Sequence, residues 1–90
     1  MATTAYNPAV NQAEESVRVL RWVFFRGTKA VSCEVRATGQ RVFDVCVVPH
    51  WDVSSAVIEA FDRPGLALQR HAEISSHLRG AGWILTRETD

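Results

Sequence analysis

The chain has 90 residues, 47% of them apolar, with ten basic and ten acidic side chains that cancel. That length makes one domain, and the apolar content is sufficient for a core without disulfides or metal. Zero net charge excludes a protein that coats nucleic acid or an anionic membrane by bulk charge, and no apolar run reaches the roughly 18 residues that span a bilayer.

Residues 1–15 are small and polar, include Pro8, and show little periodicity. They are expected to form a flexible arm ahead of a single α+β domain over 16–90. The opening MATTAYNPAVNQAEES lacks the charged start and apolar block of a secretory signal, so the expected location is the cytoplasm. The first strand is expected over Val17 to Arg26, VRVLRWVFFR. Gly27-Thr28 then makes a two-residue hairpin with glycine first, as a type II′ turn requires. That turn pairs Arg26 with Lys29, Phe24 with Val31, Trp22 with Cys33 and Leu20 with Val35, and sets Arg21 opposite Glu34.

Thr38-Gly39-Gln40 reads as a three-residue loop into a third strand, Arg41 to Val48, stopped by Pro49. This loop pairs Val35 with Phe43, Cys33 with Val45 and Val31 with Val47. A slip of one residue would set Val35 against Asp44, so the pattern fixes the parity. Cys33 and Cys46 fall on opposite faces, which excludes an intramolecular bridge and fits a reducing compartment. Residues 56–61 suit a fourth strand or the start of a helix; strand is preferred because Asp62-Arg63-Pro64 reads as a fresh helix start capped by Asp62.

Helical spacing follows from Pro64 to Ala81, with Ala67, His71, Ile74, Leu78 and Ala81 on one stripe. Gly80 and Gly82 offer a left-handed stop, and Trp83-Ile84-Leu85 reads as an apolar tail tucked under the sheet. The expected architecture is therefore an antiparallel β-meander of three or four strands with one C-terminal amphipathic helix packed on one face.

From Phe61 to Trp83 the chain reads F-D-x-P-x-x-A-L-x-x-H-x-E-I-x-x-x-L-R-x-A-G-W, and Cys33 to Arg36 reads C-E-V-R. Together these resemble small uncharacterised bacterial proteins with a four-strand meander and a terminal helix. The resemblance implies a fold and carries no catalytic residue across.

Two independent turn arguments place Leu20, Trp22, Phe24, Val31, Cys33, Val35, Phe43, Val45 and Val47 on one face, beneath the helix. The opposite face holds Val19, Arg21, Val23, Phe25, Arg36, Val42, Cys46 and Val48, interleaved with Ser32, Glu34 and Asp44. A sheet with one solvated face alternates cleanly, whereas VLRWVFF is apolar on both sides. The open face is thus the expected interaction surface, its occupant a second copy of the chain or another protein. The alternative is single-stranded nucleic acid, because the order of elements resembles the plan of single-strand-binding transcriptional cofactors of the PC-four and Whirly types. Arg21, Arg36 and Arg41 would meet phosphates and Phe25 would stack on bases.

Nothing in the sequence advertises an enzyme or a cofactor. His50, His71, His77, Cys33 and Cys46 show no paired spacing that sets metal ligands on one element. Cys46 and His50 lie four apart on extended chain, about 13 Å between backbones and too far for a nucleophile and its base. No serine elbow or glycine-rich phosphate loop occurs. No catalytic, metal or cofactor residue is therefore expected.

Overall fold

A computed structural model of the chain describes residues 16–39 and 41–89; the arm expected over 1–15 lies outside the described residues. Five strands make one antiparallel sheet in the order β4-β3-β2-β1-β5. They are β1 (Val17–Arg26), β2 (Lys29–Ala37), β3 (Phe43–Pro49), β4 (Val57–Phe61) and β5 (Ile84–Thr89), with helix α1 (Pro64–Gly80) between β4 and β5. A short 3-10 turn, Val53–Ser55, leads into β4. Among the described residues no helix is long and apolar enough to cross a membrane.

The first hairpin has the register that its turn dictates. Arg26 faces Lys29, Phe24 faces Val31, Trp22 faces Cys33, Leu20 faces Val35, and Arg21 faces Glu34. Gly27 sits at φ +63° while Thr28 keeps a negative φ, the glycine-first pattern of a type II′ turn. The like-charged pair at its mouth is relieved because the Lys29 ammonium lies 4.9 Å above the Trp51 ring.

The second hairpin differs from expectation by two residues. Val35 faces Val45, Cys33 faces Val47 and Val31 faces Pro49. The Thr38 amide donates to the Val42 carbonyl at 2.9 Å, and Gly39 and Arg41 both take positive φ. Val42 therefore belongs to the loop and not to β3. A shift of two preserves every apolar match, so alternation alone did not choose between the registers. Cys33 and Cys46 lie on opposite faces as free thiols.

Residues 57–61 are a strand, paired with β3 through Phe43–Phe61 and Cys46–Ile58. Asp62 does not cap α1: the N-cap is Arg63, no side chain closes the first turn, and Pro64 removes one of its free donors. At the other end Gly82 adopts φ +93°. The Trp83 amide reaches the Leu78 carbonyl and the Gly82 amide reaches that of Arg79, both at 3.0 Å, a complete Schellman stop. Trp83 and Leu85 do pack against the core, though the segment is not a tail beneath the sheet. Ile84 and Leu85 open a fifth strand along the outer edge of β1, with Ile84 facing Phe25 and Leu85 facing Phe24.

The helix covers one face. Phe24, Cys33, Val35, Val45 and Ala67 form the dry centre, and Trp22, Phe43, Ile74, Leu78 and Leu85 pack around it. Full burial of Phe24, Val35 and Val45 stabilises by about 1.5–3 kcal/mol each. His71 lies on the buried stripe, its ring edge-on to Trp22 at 5.0 Å and its Nε2 3.1 Å from the Cys33 carbonyl. Beyond the sheet's end Trp51 stacks on Trp83 at 6.2 Å, tying the β3–β4 connection to the helix stop. The His50 amide, donating 2.9 Å to the Ala30 carbonyl, anchors that connection to β2.

Candidate functional site

On the face away from the helix the register sorts side chains into rows across the strands. Nearest the β1–β2 turn, Ile84 stands beside Phe25 and Phe25 beside Ala30. The next row runs Val23, Ser32, Val48, and the one after it Arg21, Glu34, Cys46, Ile58. Last come Arg18, Arg36, Asp44 and Ala60. The face therefore divides into an apolar half by the turn and a charged half at the far end.

The apolar half is concave. Arg21, Val23, Phe25, His50 and Thr86 line an open hollow of about 440 Å³. Val23, a short and buried side chain, lies at its bottom, flanked by the larger Phe25 and His50. Phe25 is 43% exposed on the rim, and Ile84 beside it is 67% exposed. Thr86 sits where β5 bulges against β1 and donates its hydroxyl to the Val23 carbonyl at 3.1 Å.

The charged half is partly paired within itself, around Glu34. Glu34 takes Arg36 at 3.0 Å and Arg21 at 3.5 Å, and the Arg36 Nε donates to Ser16 Oγ at 2.7 Å. Asp44 lies opposite Arg36 on the next strand. Half-exposed pairs of this kind contribute at most about 1 kcal/mol each; their effect is to hold the guanidinium groups against the sheet.

Of the residues that the sequence assigned to this face, Arg21, Val23, Phe25, Arg36, Cys46 and Val48 are on it. Val23 is the floor of the hollow, 6% exposed. Val19 is displaced by a bulge between Arg18 and Leu20, so Arg18 takes the place that strict alternation gave it. Val42 lies in the loop. The reading missed His50, Thr86 and Ile84, because His50 stands beyond the strand end and the last two belong to a strand that the sequence did not declare. Three β-formers in ILTRET were the available signal.

Both thiols are shifted away from the thiolate form. Burial pushes the Cys33 thiol up to about 12, with Cys46 adding to the shift. Burial also raises Cys46, helped by the carboxylates of Asp44 and Glu34. Burial lowers the His71 imidazole, opposed by its bond to the Cys33 carbonyl. Among the described residues no group of three His, Cys, Asp or Glu side chains is placed to hold a metal ion.

No protein-family model, curated protein or solved structure matches the chain.

Proposed function

We propose that the chain is a non-catalytic protein-interaction module whose contact surface is the open sheet face. The observation that carries this reading is the pairing of Phe25 and Ile84, exposed side by side in register at the rim of an apolar-floored hollow. Contiguous apolar surface of this kind marks contacts, whereas scattered exposed residues do not. An aromatic anchor beside a concavity, bordered by paired charges, is the anatomy of a protein interface. The free thiols suit a reducing compartment, and the cytoplasm is the location we propose.

Single-stranded nucleic acid would use the same face differently. It needs guanidinium groups for phosphates, and here Arg21 and Arg36 share Glu34. Phosphate would have to displace that carboxylate. The two uses separate in one experiment. Labelled single-stranded oligonucleotide titrated at low and at moderate salt is expected to give a flat anisotropy trace at both. Phe25→Glu is expected to remain folded, with a cooperative thermal transition. Saturable binding that weakens with salt and is lost in Arg21→Glu and Arg36→Glu would overturn the reading. So would unfolding of Phe25→Glu, which would make that ring core.

A further inference from the structure

We infer that the occupant of the open face is a second copy of this chain, packed sheet against sheet about a two-fold axis that runs between the faces along β2. The inference rests on the protein-contact reading above and adds the partner and its seat. Self-complementarity is the first argument. The patch carries both a projection, Phe25, and the hollow that would receive one. Phe25 stands on the β1 side of that hollow and His50 on the β3 side, with the short side chains of Ala30 and Ser32 between them on β2. A half-turn about β2 carries the second copy's Phe25 to the His50 side. Phe25 of each copy then enters the other's hollow from the His50 side.

Charge is the second argument. The same half-turn keeps the apolar half over the apolar half, and it lays β1 of one copy over β3 of the other. Arg18 of each copy, on β1, then lies level with Asp44 on β3 of the other. The chain as a whole is neutral, so two copies approach without net repulsion.

Area is the third. Strands of five to ten residues, rising about 3.3 Å per residue and spaced about 4.8 Å apart, give five of them a plan area of about 600 Å². Accessible surface exceeds plan area once side-chain relief is included, which brings the face near the roughly 800 Å² that each partner contributes to a stable dimer. Aligned packing of two such faces is the ordinary geometry of sheet sandwiches.

Sedimentation equilibrium across micromolar concentrations tests this directly. The parent is expected to be a dimer. Phe25→Glu and, independently, Ile84→Glu are each expected to raise the dimer dissociation constant at least about 30-fold, as loss of an interface anchor does. Leu68→Glu, exposed on the helix, is expected to leave it unchanged. A parent that stays monomeric throughout overturns the inference, as does a dimer indifferent to both face substitutions. In either event the broader protein-contact reading is judged separately, by the oligonucleotide titration and by the folding of Phe25→Glu.

Discussion

His71 is an ionisable ring placed where charge is least tolerated, 2% exposed between α1 and β2. Its Nε2 donates to a carbonyl, which fixes the neutral tautomer with the proton on that nitrogen. Burial lowers its folded pKa below the ordinary 6.5. As pH falls through 6.5 the unfolded chain therefore takes up a proton that the folded chain refuses, and stability declines. Cys33 does the converse. Its folded pKa, about 12, lies above the ordinary 9.0, so above pH 9 the unfolded chain releases a proton that the folded chain keeps. Urea midpoints measured across pH should form a plateau between about 6.5 and 9 with a fall on either side. In His71→Leu the acid limb should flatten. An acid limb unchanged in that variant would assign the decline to the carboxylates. Ser75, one turn along the same stripe, buries a hydroxyl with no hydrogen-bond partner among the described residues.

Among the elements, the first hairpin was legible from its turn back to Leu20, because Gly27-Thr28 fixes one register and the Arg21–Glu34 pair agrees with it. The second was legible in parity alone, since apolar alternation repeats every two residues and tolerates a shift of two. Bulges at Val19 and Thr86 were not legible, because they arise from the twist of neighbouring strands and not from local residue type. The candidate face inherits this division. Its β1 and β2 members stood in the sequence, whereas its β5 rim waited for an edge strand whose polar half reads as a tail. The helix stop is the element on which β5 depends. Gly82 holds φ +93°, and a Cβ there would meet only the end of the Arg26 side chain at 3.7 Å, an ordinary contact. Gly82→Ala should therefore cost about 1–2 kcal/mol through backbone conformation alone. Thermal denaturation reads that loss, and a melting temperature equal to the parent's would show that the stop does not need the left-handed residue.

Among the described residues one helix lies on one sheet, in a molecule 41 × 28 × 18 Å across, so much of its stability rests on few large side chains. Trp22 is one of the two widest, in contact with His71, Phe24 and the Arg79 guanidinium. Trp22→Ala should cost about 3–5 kcal/mol, a large share of the roughly 5–15 kcal/mol that a domain possesses. Chemical denaturation measures it, and a loss below about 1 kcal/mol would place the weight of the core elsewhere. The order of the sheet also has a consequence in time. β1 is translated first of the strands, yet its outer neighbour is β5, and the bond from Thr86 to the Val23 carbonyl joins residues 63 positions apart. At about 5–20 residues per second, that leaves the apolar β1 with an unpaired flank for roughly 3–12 s of synthesis. The ribosome thus presents this chain for seconds as a sheet with a sticky edge, and nascent chains arrested before Ile84 should be the species that chaperones hold and that crowded polysomes aggregate.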